Sequence, residues 1–249
     1  MKALMTRLLL ALSIVSLAAF AQTPKQDPGT PAPKHADTTF IPKHERYLAR
    51  GKSGPIGLLF MGDSITEGWH KAPHVWDAYY AKYNAASFGI SGNRTQNVLW
   101  QIQHGELDGI SPKVVVLMIG TNNSLDDSAA DIAAANRKIV AAIRAKLPNT
   151  KVLLLAIFPR GPRPPQEVPV AKAEAEANKR MEVIDAVNKE LMQMEDGRNV
   201  RYLNIGNAFL GQDGKIPYSI MPDQLHPTAA GYQLWADAMQ KRLDEMMQP

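Results

Sequence analysis

From about Lys43 onward, short apolar runs alternate with longer stretches in which apolar residues return every three or four positions. The runs cover residues 56–61, 85–88, 114–119, 152–158 and 200–205. Such uniformly apolar runs suit strands covered on both faces, as in a parallel sheet. Between them, Ile132, Ile139, Ile143 and Leu147 fall on one helical face, as do Met181, Ile184, Val187, Leu191 and Met194. Tyr232, Trp235, Met239 and Leu243 mark a last helix. Spacings of three, four and seven define stripes that pack a core, not a cofactor box. Strands alternating with helices build right-handed crossovers, which predicts an α/β protein: a three-layer α/β/α sandwich on a five-stranded parallel sheet. In such a sheet the chemistry gathers at the carboxyl ends of the strands.

The first residues break this alternation. Lys2 and Arg7 precede an apolar run from Leu8 to Ala18, and Ala19-Phe20-Ala21 offers a small-x-small cleavage site before Gln22. That is the pattern of a secretory signal peptide over residues 1–21. The run of about 11 residues falls short of the ~20 needed to cross a bilayer, so no membrane span is expected after cleavage. Residues 22–42, rich in Pro, Thr, Lys and Asp, read as a flexible lead-in, with the folded domain at 43–249. The protein is thus expected to be exported, either periplasmic or secreted.

Composition narrows the chemistry. The chain has no cysteine, which excludes disulfides, thiolate metal sites and a lipid anchor on cysteine. The net charge of +4 falls to +2 without Lys2 and Arg7, leaving 26 basic against 24 acidic side chains. No basic stripe runs along the sequence, so nucleic acid is not an expected partner.

The chemistry-bearing residues follow the runs. The first ends in Gly62-Asp63-Ser64-Ile65. A serine in a strand-to-helix turn has its own N–H at a helix N-terminus, where partial positive charge favours a developing oxyanion. Taken alone, Asp63 or Ser64 serves equally well as a helix N-cap. The second run leads into Gly89-Ile90-Ser91-Gly92-Asn93-Arg94, whose glycines leave backbone donors accessible. Its spacing completes neither a dinucleotide fingerprint nor a P-loop. The third leads into Gly120-Thr121-Asn122-Asn123, where side-chain amides can donate into the same cleft or simply favour a turn. The loop 159–169 carries Arg160 and Arg163, which either line the cleft or stand in solvent.

Asp223-Gln224-Leu225-His226-Pro227 precedes the last helix. Three apart across a turn, the carboxylate can reach the near ring nitrogen and leave the other as a general base. The plain alternative is a capped turn with an exposed histidine. Two ligands are too few for a catalytic zinc and no third is near, so neither metal nor cofactor is expected. The set nonetheless combines a nucleophile, a base, its orienter and oxyanion donors, all after predicted strands.

These residues resemble the GDSL, or SGNH, hydrolase superfamily. Gly62-Asp63-Ser64-Ile65 corresponds to its nucleophile block, with Ile in place of the usual Leu. Gly92 and Asn122 correspond to the second and third blocks, and Asp223 and His226 to the Asp-x-x-His of the fifth. Asn97-Val98-Leu99-Trp100, His104-Gly105-Glu106-Leu107 and Pro159-Arg160-Gly161 extend the similarity toward the catalytic subunits of platelet-activating-factor acetylhydrolases, over roughly residues 56–245. Position 93 is Asn where the family often has Asp. The resemblance implies a flavodoxin-like fold, no metal and a shallow acyl pocket. It implies Ser64 as nucleophile, His226 as base and Asp223 as its orienter, with the N–H groups of Ser64 and Gly92 and the Asn122 side chain as oxyanion donors. Asp63, Asn123 and Arg160 are candidates to bind substrate.

A signal peptide and the lead-in are foreign to that intracellular group, so its substrate is not carried over. The expectation is an exported serine esterase that cleaves short-chain, acetyl-type esters of a carbohydrate or lipid-like alcohol through an acyl-enzyme. The substrate partner is a small-molecule or polysaccharide ester. One rival is a non-catalytic carbohydrate-binding protein on the same fold. Another is a metal-dependent phosphoesterase, for which the carboxylate and histidine cluster is missing.

Overall fold

The computed structural model describes residues 26–163 and 169–248. The signal-peptide pattern and the first four residues of the lead-in lie outside the described residues. Five parallel strands form one sheet in the order β2-β1-β3-β4-β5: β1 (Leu58–Gly62), β2 (Ala85–Ser87), β3 (Val114–Met118), β4 (Lys151–Leu155) and β5 (Val200–Leu203). This is the flavodoxin-like order, with the reversal of winding beside β1. Each strand begins within two residues of its apolar run. The runs overshoot at their C-terminal ends because the residues there, such as Ile119, Ile157 and Phe158, stay buried after the sheet pairing stops.

Side-chain alternation divides the strands between two cores. Leu59, Met61, Val115, Leu117, Val152 and Leu154 face one cluster with α1 (Phe40–Lys52), α4 (Thr95–Gln103), α5 (Ala129–Lys146) and α6 (Val170–Met192). Leu58, Phe60, Val114, Val116, Leu153 and Leu155 face the other with α3 (Pro73–Tyr80) and α7 (Ala229–Met247). Both faces of β1 and β3 are fully covered, which is why those strands carry no polar residue. The expected helical stripes lie in α5, α6 and α7, and Ile184, Val187 and Leu191 are wholly buried.

The expected lead-in is corrected over residues 26–42. Ala32 N–H donates to the Gln96 carbonyl, the Asn97 amide donates to the Ala32 carbonyl and Thr95 Oγ1 donates to the Pro28 carbonyl. Phe40 opens α1 and is fully buried, so the expected boundary at residue 43 falls inside a helix. Composition misled here because a Pro-rich strap needs no periodicity. It lies along α4 and exchanges hydrogen bonds with it instead of forming a ladder.

Candidate active site

The turn after β1 brings Ser64 to the carboxyl edge of the sheet. Asp63 caps the short α2 (Ser64–Glu67), accepting from Ile65 N–H at 2.9 Å. Ser64 is half-buried, and its Oγ lies 2.8 Å from His226 Nε2. His226 Nδ1 lies 2.5 Å from Asp223 Oδ2, while Asp223 Oδ1 accepts from the backbone N–H groups of Leu225 and His226. Serine, histidine and carboxylate thus stand in one hydrogen-bonded line. Burial opposes ionisation of Asp223, but the hydrogen bonds from His226 outweigh it and hold the carboxyl below its usual range. An ionised Asp223 requires Nδ1 to carry a proton, which leaves Nε2 free to accept one from Ser64.

The turn after β2 lies directly on α2. A Cβ at Gly89 would come within 2.4 Å of Glu67 N and 2.7 Å of the Asp63 carbonyl, so only glycine permits this approach. Gly92 takes a left-handed φ of +73°. Asn122, after β3, donates one amide hydrogen to the Asn93 carbonyl at 2.8 Å. Its Nδ2 has a second hydrogen to give.

A profile of the GDSL-like lipase/acylhydrolase family matches residues 60–234, a span that takes in every group of this line. The chain belongs to this family. A platelet-activating factor acetylhydrolase IB subunit alpha2 from Rattus norvegicus is 32% identical over 196 residues, covering 79% of this chain and 80% of that one. A GDSL-like lipase from Bacteroides thetaiotaomicron superposes with a TM-score of 0.60 at 20% identity, covering 81% and 97% of the two chains. A carbohydrate acetylesterase from Sinorhizobium meliloti does so with a TM-score of 0.57 at 17% identity, covering 77% and 99%. The protein is a carboxylic ester hydrolase of the GDSL acylhydrolase type.

In this acylhydrolase the three residues expected to touch substrate are all buried. Asp63 is 1% exposed and engaged as the α2 cap; burial raises its carboxyl to about 6. Asn123 is wholly buried, accepting from Thr95 N–H and donating to Asp127 and Gln96. It ties the β3 loop to α4. Arg160 is not a solvated loop arginine: it is 7% exposed and donates to Thr121 Oγ1. Arg163 is exposed, and the rest of the loop up to residue 168 lies outside the described residues.

The structural roles of several residues at the site were not legible in the sequence. Gln224 is buried at a left-handed φ of +59°, unusual for a residue with a side chain. Its amide donates to the Ile216 and Met221 carbonyls and its own carbonyl accepts from Gly161 N–H, which pins the turn carrying Asp223 and His226. Asn93 is fully buried and donates to the Gly62 carbonyl and to Gln101 Oε1. Both partners are acceptors, so an amide suits this position where an ionised Asp would have nothing to donate.

The strap and α1 hold the same turn from outside. Lys34 Nζ donates to the Ser91 carbonyl, and Tyr47 Oη donates to the Gly89 carbonyl at 2.5 Å. Burial raises the Tyr47 phenol to about 12, which keeps it a donor. Glu67 accepts from Ser91 N–H and pairs with Lys43. The only signal for these in the sequence is the apolar spacing of Phe40 and Tyr47 in α1, which says "core" and not "site".

Proposed function

We propose that this family member is an exported acetylesterase that works through Ser64, His226 and Asp223. The reading rests on one observation above all: Ser64 Oγ, His226 Nε2, His226 Nδ1 and Asp223 Oδ2 succeed one another at 2.8 and 2.5 Å. Ser64 attacks the ester carbonyl as its proton passes to His226, and Asp223 stabilises the imidazolium that forms. The N–H groups of Ser64 and Gly92 and the free Asn122 amide hydrogen stabilise the oxyanion. The imidazolium then protonates the leaving alcohol. His226 next activates a water, and the acyl-Ser64 ester is cleaved in turn.

The acetyl preference draws on the names of the relatives, an acetylhydrolase and a carbohydrate acetylesterase, and on the half-exposed setting of Ser64 and His226. A carbohydrate or lipid-like alcohol is proposed by analogy, not from residues of the site. Export draws on the residues 1–21 pattern alone. The test of chemistry is kcat/KM on aryl esters of increasing acyl length, followed by acetylated sugars. Acetyl esters are expected to lead the series, and a folded Ser64→Ala variant is expected to release no alcohol. A folded, fully active Ser64→Ala would remove the serine mechanism. The test of export is the mass of the protein recovered from the exported fraction, expected to begin at Gln22; a chain still carrying Met1 would refute it.

A further inference from the structure

A group of arginines stands behind the β3 loop, at the carboxyl end of β4. Arg160, Arg163 and Arg180 line a cavity of about 40 Å³, with Glu176 as the one carboxylate on its wall among the described residues. Arg180 is 4% exposed and spends its donors on Ser124 Oγ, the Thr121 carbonyl and Glu176. Arg160 is 7% exposed, and its Nε–H is buried with no hydrogen-bond partner among the described residues.

Among the described residues three guanidiniums thus share this wall with one carboxylate, and the charge of Asp126 also reaches Arg180. Burial and mutual repulsion lower the basicity of Arg160, to about 10, and of Arg180 as well. Asp63, whose charge also reaches Arg160, is itself resistant to ionisation through burial. A buried guanidinium donor left unpaired costs free energy that a charged acceptor would restore. The fork of an arginine matches the paired oxygens of carboxylate or phosphate. At about 40 Å³ the cavity exceeds the volume of about 15 Å³ that one water needs. Its position is also telling. Arg160 and Arg180 both donate to Thr121, the chain neighbour of the proposed oxyanion donor Asn122, so the arginine group is tied to the loop that carries that donor.

We infer that Arg160, Arg163 and Arg180 form an anion subsite that takes a carboxylate or phosphate carried by the ester substrate. The ester is then that of an anionic alcohol, such as an acetylated acidic sugar or a phosphorylated one. This specificity rests on the proposed serine esterase reading, but the subsite itself is testable without turnover.

The first arm uses the Ser64→Ala protein, which removes the nucleophile. Inorganic phosphate and, separately, benzoate are titrated against chloride at equal ionic strength, with the thermal midpoint as readout. Phosphate, benzoate or both are expected to raise the midpoint, and the stronger of the two identifies the source of the anionic group. Adding Arg163→Gln is expected to weaken that binding by roughly tenfold, the low end of what a charge-assisted hydrogen bond supplies. Arg163 is exposed, so this change does not disturb the core.

The second arm uses the wild-type enzyme and compares kcat/KM for phenyl acetate and 3-acetoxybenzoate. The anionic ester is expected to lead, and Arg163→Gln is expected to shrink its advantage. If neither anion moves the midpoint beyond chloride, the subsite is refuted whatever the kinetics show. If the anions bind but the wild type cleaves neither ester, the esterase reading fails and the subsite stands.

Discussion

Two turns at the edge of one sheet carry the groups of the proposed mechanism, and they are held in opposite ways. The turn carrying Asp223 and His226 organises its reacting groups from within. Asp223 receives the N–H groups of residues two and three positions on, and the ring of His226. Its side chains remain 48% and 30% exposed. The turn from Gly89 to Asn93 owes its shape to residues spread across the chain: Lys34, Tyr47, Glu67, Gln101 and Asn122. The difference fits the tasks proposed for them. A base must swing a proton between nucleophile, leaving group and water, and a local, half-open turn permits that. Oxyanion donors act by being fixed before charge develops, and their worth falls if they must reorganise.

The sharpest break in this comparison is expected on the base side. His226→Ala is expected to cost about 10⁶ in kcat, and the Ser64→Ala/His226→Ala double variant to be little worse than either single. Rates on an aryl acetate, with circular dichroism as folding control, check this; additive losses would show that the two do not act together. Asp223→Asn is expected to cost about 10⁴, because it keeps the nucleophile and base but misdirects the tautomer. Its near-native thermal midpoint would separate that loss from unfolding.

On the oxyanion side the expected effects are smaller and graded. Asn122→Ala is expected to lower kcat by about 10²–10³ with little change in KM, since its donor counts mainly in the transition state. Full kcat would return Asn122 to a turn-forming role. Asp63, the buried cap against which the Gly89 turn rests, gives a pH signature in stability. Its folded pKa of about 6 lies above the unfolded value of 3.8, so its contribution is fully present below pH 4 and is lost as pH rises through 6. Urea unfolding of wild type and Asp63→Asn is expected to diverge between pH 4 and 7 by up to about 3 kcal/mol, with the wild type losing ground as pH rises. Parallel curves would mean that Asp63 stays ionised at little cost. Tyr47→Phe removes one hydrogen bond to Gly89 while keeping the ring stacked on Phe88. A fall in kcat of up to tenfold with KM unmoved is expected, the size of one ordinary hydrogen bond. Equal loss in both parameters would point to binding, not to positioning of the turn.

The sequence by itself determined what depends on neighbours in the chain. The run 114–119 suited a strand covered on both faces, realised as Val114–Met118, and the stripe of Ile184, Val187 and Leu191 suited a buried helix face. Asp223 and His226 were legible as a candidate pair because three residues across a turn can bring carboxylate to imidazole. Ser64, Gly92 and Asn122 were legible as positions after strands, since parallel strands deliver their carboxyl ends to one edge. Tertiary structure alone decided the rest. A polar residue such as Asp63, Asn123 or Arg160 looks the same in sequence whether it meets solvent or a buried acceptor. Its exposure depends on segments up to dozens of residues away, as Thr95 does for Asn123 and Thr121 for Arg160. The strap over residues 26–39 carried no periodic signal, because its order comes from hydrogen bonds to α4 and not from a stripe of its own. Periodicity reports which face of an element is dry; only the packed fold fixes which polar groups are left facing one another inside it.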